Sequence, residues 1–266
     1  MGLAMELISG RATAPGATLT ALTMAAGNSS TVRFANVNSD IRLINMWAEN
    51  NAAGIFRVRS PKLHDNVQGI RYRIAATDPV PLMPLGSSQK LTPQDTLVLE
   101  ISGSATAGQI EQGQLLIWYA DLPGSNARLA TWDQLKNRVV SYLTVEVAVT
   151  PGASGGYSGQ VSINSTFDLL QANTDYAILG GMTDVRCAAV RIAGPDFANF
   201  GVGFPGFMPD RNVPGRFFYE LNEQLSLPTI PIFNSANKNG TLVDVVQDQT
   251  GNAVNVSLNL VQLSAQ

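Results

Sequence analysis

Pro81-Leu-Met-Pro-Leu-Gly-Ser-Ser88 is echoed 147 residues later by Pro228-Thr-Ile-Pro-Ile-Phe-Asn-Ser235, with both prolines, the aliphatic residue after the second and the closing serine kept. Self-similarity at a distance of this kind is the mark of a duplicated structural unit. The echo extends in both directions. Downstream, Thr96-Leu97-Val98 returns as Thr241-Leu242-Val243 at an offset of 145. Upstream, Asn38-Ser-Asp-Ile-Arg-Leu43 resembles Asn173-Thr-Asp-Tyr-Ala-Ile178 at 135, and Phe56-Arg-Val-Arg-Ser-Pro61 resembles Val190-Arg-Ile-Ala-Gly-Pro195 at 134. Gly69 pairs with Gly215 at 146, so the offset changes mainly between residues 61 and 69, as one loop insertion would produce.

Within each repeat, roughly 23–120 and 140–264, short apolar runs alternate with turn signals. Ile41-Arg-Leu-Ile-Asn-Met-Trp47, Ile55-Phe-Arg-Val-Arg59, Ile70-Arg-Tyr-Arg-Ile74, Gln114-Leu-Leu-Ile-Trp-Tyr119, Tyr142-Leu-Thr-Val-Glu-Val-Ala-Val149, Phe217-Phe-Tyr-Glu-Leu221 and Val254-Asn-Val-Ser-Leu-Asn-Leu-Val261 all read as strands. Only two stretches read as helical. Thr131-Trp-Asp-Gln134 carries the residues of a capping box, and Ser165-Thr-Phe-Asp168 opens a short turn of helix ending near Asn173. The pattern predicts an all-β chain of two tandem two-sheet sandwiches, each of jelly-roll size. The expected boundaries are residues 1–122 for the first sandwich with its N-terminal arm, 123–139 for a short helical linker, and 140–266 for the second sandwich.

Composition narrows the function classes. Charged residues make up 14% of the 266, against about 25% in an ordinary soluble domain. A net charge of −3 offers no broad positive field for a phosphate backbone, so sequence-unspecific nucleic-acid binding is not expected, and no sequence-specific nucleic-acid partner is expected either. The start of the chain carries neither a signal peptide nor a myristoylation motif, and nowhere does an apolar run reach the roughly 18 residues that read as a membrane-spanning helix. Cys187 is the one cysteine and His64 the one histidine, which rules out an intrachain disulfide and any site built on several histidines.

No catalytic, cofactor or metal residue is therefore assigned. His64 lies in Pro61-Lys-Leu-His-Asp-Asn66, a loop between strands, and reads as a solvated loop side chain. Cys187 sits in an apolar strand pattern and reads as a small buried hydrophobe. Gly152-Ala-Ser-Gly-Gly-Tyr157 and Gly201-Val-Gly-Phe-Pro-Gly206 lack the spacing and following helix of a phosphate loop, so they read as bends. Trp47 and Trp118 belong to apolar strands and are expected in a core, rather than joining Trp132 in a sugar-stacking platform. No pair of carboxylates stands out for glycoside hydrolysis. Among the cations, 13 are Arg and 4 are Lys. Arg tolerates interface burial where Lys is depleted, so this skew, with the low charge density, points to a surface largely covered by neighbouring copies.

The organisation over essentially the whole chain resembles the double jelly-roll major capsid proteins of tailless icosahedral viruses, particularly small bacteriophages. Gln114-Leu-Leu-Ile-Trp-Tyr-Ala-Asp-Leu-Pro-Gly124 and the stretch from Asn173 to Gly206 carry the resemblance most clearly. It implies a non-enzymatic virion protein, made in the host cytoplasm, that forms homotrimers. Each trimer would present six similar sandwiches as a pseudo-hexameric capsomer and tile an icosahedral shell. The partners it implies are other copies of the chain, together with penton and minor capsid proteins or an internal membrane. Length is short for the family, which implies modest external loops. The alternative on the same sandwiches is a receptor-binding spike, tail or carbohydrate-binding module, and a two-sandwich carbohydrate-active enzyme is a third reading.

Overall fold

A computed structural model describes residues 2–33, 39–63, 66–76, 79–84, 86–206, 214–248 and 250–265. The first half supplies β1 (Ala4–Thr13), β2 (Thr20–Ala21), β3 (Thr23–Met24), β4 (Ile41–Glu49), β5 (Gly54–Arg59), β6 (Ile70–Ile74), β7 (Gln89–Lys90), β8 (Val98–Ser102) and β9 (Ile110–Tyr119). These make one sheet in the order β3-β1-β9-β4-β7 and a second in the order β2-β8-β5-β6. The second half supplies β10 (Leu129–Ala130), α1 (Trp132–Leu135), β11 (Val139–Val149), β12 (Val161–Ser162), β13 (Asp175–Thr183), β14 (Ala189–Ala193), β15 (Val202–Phe204), α2 (Phe217–Leu225), β16 (Ile230–Asn234), β17 (Leu242–Val246) and β18 (Val254–Leu263). Its sheets run β10-β16-β13-β18-β11 and β12-β17-β14-β15. The chain is all-β, with every strand pair antiparallel.

Eight strands of each half follow one order. The row β1-β9-β4-β7 is matched by β11-β18-β13-β16, and β2-β8-β5-β6 by β12-β17-β14-β15. Registers agree down to an irregularity. Ile44 is an extra residue between Leu43 and Asn45 opposite β9, and Leu179 is extra between Ile178 and Gly180 opposite β18. A bulge opposes two residues to one and breaks the ladder locally, so its recurrence pins Leu43 to Ile178. That is the offset of 135 read from the sequence around Asn38 and Asn173.

Other sequence matches shift. Opposite β5, Glu100 faces Arg57, and opposite β14, Asp244 faces Arg191, which makes the offset 144 and turns the Thr96/Thr241 match by one residue. In a strand, one residue is the difference between the two faces. Lys90 corresponds to Ile232, at an offset of 142, so Pro81 and Pro84 do not fall on Pro228 and Pro231. Gly69 corresponds to Gly201 and not to Gly215, because Ile70 pairs with Val58 as Val202 pairs with Ile192. The main insertion thus lies between β15 and β16, and α2 occupies it.

Phe217–Leu221, read as a strand, is the first part of α2. Phe217, Phe218 and Leu221 are buried there, and the spacing i, i+1, i+4 puts them on one helical face. Ser165–Asp168 forms a bend and irregular chain rather than helix. α1 begins after Thr131 as the capping signature predicts, with the Thr131 N–H donating to Gln134 Oε1 at 2.9 Å. Upstream of it, β10 joins the second five-stranded sheet, so residues 123–139 contribute an edge strand beside β16 as well as a helical turn.

The equivalent Arg–carboxylate pairs titrate in opposite senses. Burial acts to raise the Glu100 carboxyl, but hydrogen bonds from Arg59 and Arg57 overcome it and hold the group below its ordinary 4.5. Asp244 is more deeply enclosed and Arg191 stands 3.5 Å away, so burial pushes its carboxyl above the ordinary 3.8. A carboxyl depressed on folding stabilises above its unfolded pKa and loses that contribution as pH falls through the folded value; a raised one favours folding while protonated and opposes it as pH climbs. Glu100→Gln should therefore lower the denaturant midpoint at neutral pH and flatten the loss of stability below about pH 4.5. Asp244→Asn, which keeps an acceptor for the Gly159 and Val245 N–H groups, should cost less at neutral pH and leave the acid limb intact.

Candidate functional site: the seam between the halves

The feature that stands out chemically is a contact surface. β1, β9 and β4 are buried on both faces. Ala4, Ile8, Leu115, Ile117 and Tyr119 point into the first half's own core. Their neighbours Met5, Leu7, Ile44, Trp47, Leu116 and Trp118 point the other way and share one apolar cluster with Val190, Phe204, Phe217 and Phe218 of the second half. Period-2 alternation thus delivers successive residues to two different cores.

At the apolar end, the Trp47 ring meets Phe217 edge-on at 5.9 Å between centroids, Phe217 meets Phe218 at 5.5 Å, and Phe218 meets Phe204 at 6.0 Å. Edge-to-face pairs add to the gain from burying the rings. Both buried indoles are satisfied across the seam: Trp47 Nε1 donates to the Ala188 carbonyl at 2.7 Å, and Trp118 Nε1 to the Pro228 carbonyl at 3.1 Å. The Leu7 N–H donates to the Gly201 carbonyl at 2.6 Å, so the β1 edge is closed by the segment entering β15. Gly203 is required at this crossing. A Cβ there would lie 2.4 Å from Leu7 Cδ2 and 2.2 Å from the Val190 carbonyl oxygen.

The other end of the seam is polar. Ser9 Oγ and Tyr157 Oη lie 2.6 Å apart, the Arg191 guanidinium sits 3.6 Å from the Tyr157 ring centroid, and Arg186 pairs with Glu49 at 2.7 Å. Arg11 donates to the Ser154 carbonyl. Gln114 is sealed in the same sheet, next to Ser9 and Trp47 in the ladder, and neither atom of its amide has a partner among the described residues. Burial pushes the Tyr157 hydroxyl and the Cys187 thiol well above their ordinary values, so both stay neutral.

The residues singled out for chemistry separate accordingly. Cys187 is fully buried against Thr183 and Gly206. Trp47 and Trp118 lie in the seam, while Trp132 packs edge-on to Tyr219 at 5.3 Å, so no platform forms. The run 201–206 supplies β15 and its contact with β1. His64 lies outside the described residues. A groove of about 220 Å³ between the 81–87 stretch and α2 has Glu220 as the one carboxylate among its described lining residues. Among the described residues no group of three or more His, Cys, Asp or Glu side chains could hold a metal, and no helix is long and apolar enough to cross a membrane. The seam itself was not anticipated. Its signal was present in Gln114-Leu-Leu-Ile-Trp-Tyr119, where apolar residues run on without alternation, as they do in strands covered on both sides.

No family pattern and no curated protein matches the sequence. Among solved structures, the PBSX exported protein XepA is 10% identical, with 97% of this chain and 86% of that one covered at a TM-score of 0.29. A T=1 Penaeus vannamei nodavirus structure is 12% identical, with 100% and 99% covered at a TM-score of 0.24.

Truncating Trp47 removes a large side chain from a sealed position and unpairs the Ala188 carbonyl. Trp47→Ala should destabilise the chain by about 3–5 kcal/mol in denaturant titration. Because the seam joins both cores, intrinsic fluorescence and far-UV dichroism should still report one transition.

Proposed function

We propose that this chain is a double jelly-roll major capsid protein, a virion subunit that trimerises into pseudo-hexameric capsomers and tiles an icosahedral shell. The observation that carries the reading is the repeated strand order: two two-sheet units in one chain that share eight strands, β1 beside β9 as β11 is beside β18, with the same antiparallel neighbours throughout. An eight-stranded pair of sheets with Greek-key connections is the jelly-roll plan, and capsid proteins are among its users. A fused pair of such units lets three chains occupy six similar positions. Function then resides in lateral contacts between copies, with no catalytic step and no cofactor.

Surface chemistry supports the same reading. The low charge density and the preference for Arg over Lys suit a surface that is covered in the working state. Arg57 and Arg59 on Glu100, and Arg128 on Asp175, are charge-assisted pairs with little freedom. Partners are other copies of the chain first, with minor capsid components or a lipid layer beneath the shell second. The virion is the expected location, after synthesis in the host cytoplasm.

Electron microscopy and light scattering on the purified chain test this directly. Trimers or closed particles are expected, with contacts burying more than the roughly 800 Å² typical of lattice encounters. A chain that stays monomeric at the highest attainable concentration overturns the reading.

A further inference from the structure

We propose that β11 pairs edge to edge with the β11 of a second copy, antiparallel about a two-fold axis at Thr144, so that their two five-stranded sheets become one. This goes beyond the capsid reading, because the contact needs no three-fold axis and each copy offers the same strand.

Edge strands invite pairing, and folded chains blunt them by shortness or by charge. The outermost strands β2, β3, β7, β10 and β12 are two residues long and β15 is three, while β6 sets exposed Arg71 and Arg73 along its edge. β11 has neither protection. It runs for 11 residues at the edge of its sheet, and Val139–Val149 holds no Lys, Arg or Pro. Val140 is 59% and Tyr142 65% exposed.

Along an antiparallel strand, successive residues turn their N–H and C=O groups to opposite edges. The Ala148 N–H faces away from β18 and donates to Thr166 Oγ1 at 3.4 Å, so the main-chain groups of Glu146, Thr144 and Tyr142 face the same way. None of these has a partner among the described residues. At the equivalent positions of β1 the same groups are closed. The Leu7 N–H donates to the Gly201 carbonyl, the Ala25 N–H donates to the Ser9 carbonyl, and the Asn28 amide serves both the Ser9 N–H and the Leu7 carbonyl. The duplicated edge is sealed inside the chain in one half and left open in the other.

The open stretch is symmetric, which identifies its occupant as a second copy. It is bounded by the bulge at Val140 and by the Thr166 bond at Ala148, each four residues from Thr144. A two-fold axis at Thr144 sets each boundary of one copy against the other boundary of its mate, as an isologous contact requires. Thr144 then faces Thr144, and Tyr142 faces Glu146 at both ends. Facing residues share one side of the sheet, so each phenol can donate to a carboxylate and the two Glu146 side chains stay apart. The same axis brings exposed Val140 of one copy to the loop that carries exposed Phe167 on the other.

Facing residues of a hydrogen-bonded pair lie about 5.5 Å apart between Cα atoms, within reach of a disulfide. The native thiol of Cys187 is buried and out of reach of mild oxidation. A Thr144→Cys chain should therefore link to itself and run as a dimer on a non-reducing gel. Tyr142→Cys and Glu146→Cys chains should each give no dimer alone and a linked dimer when mixed. Thr144→Pro removes the edge N–H and spares the bonds to β18, so it should raise the dimer dissociation constant in sedimentation by about tenfold or more without changing the far-UV spectrum. Self-linking of the Tyr142→Cys chain to the extent of the Thr144→Cys chain overturns the pairing. So does an absence of linkage at Thr144→Cys while light scattering shows the wild-type chain forming trimers or particles, an outcome that leaves the capsid reading standing. A wild-type chain that stays monomeric overturns both.

Discussion

Burial of one sheet on both faces is the constraint from which the rest of the molecule follows. β1, β9 and β4 each send alternate residues into different cores, so the first half cannot complete its packing without the second. Each fully buried aromatic or aliphatic side chain contributes on the order of 1.5–3 kcal/mol, and the seam collects Met5, Leu7, Ile44, Trp47, Leu116 and Trp118 from one side alone. A hydrophobic face of that size would not tolerate exposure on an isolated first half. Gly203 opposite it is a consequence, since it leaves room for the Leu7 side chain, and the Leu7 N–H beside it reaches the Gly201 carbonyl.

Apolar contact alone would leave the relative orientation of the halves poorly specified, since burial has no direction. The polar end of the seam supplies direction. Ser9 with Tyr157, Arg11 with the Ser154 carbonyl, and Arg186 with Glu49 can all form together only at one rotation of the halves. Buried ion pairs of this kind add little net stability, because desolvation consumes most of the attraction; a wrong orientation, however, would strand the charges at several kcal/mol each. Gln114, whose amide has no partner among the described residues, marks where that arrangement is least complete.

Much of this was readable in the sequence, and unevenly so. The matches at Asn38/Asn173 and Phe56/Val190 are the ones that the ladders support, because the connection between β4 and β5 differs from that between β13 and β14 by only one residue and the bulge is kept. The proline match fails because Pro, Gly and Ser recur wherever a chain turns, so shared turn chemistry imitates shared position. Phe217–Leu221 misled through its aromatics, which favour strands, although burial of Phe217, Phe218 and Leu221 follows a helical spacing. The seam was hidden for a further reason: unbroken apolar runs tell that both faces are covered but not by what.

Comparison of equivalent positions shows what covering does to a sequence. Where the second half lies over the sheet, the ladder positions hold Met5, Leu7, Trp47 and Leu116; their counterparts are exposed Tyr142, Thr144 and Met182 and half-buried Asn259, while Leu179 and Val261, the counterparts of Ile44 and Trp118, stay buried in a third cluster. Along β11 and β18 the exposed part of this face has traded bulk apolar groups for side chains that keep a polar handle, and Thr144 Oγ1 donates to Asn259 Oδ1 across it. A face left in water cannot carry the leucines and tryptophan of a sealed seam without risking indiscriminate association. Tyrosine, threonine and asparagine keep a polar group that water can satisfy, which is the composition expected where no second core lies over a sheet.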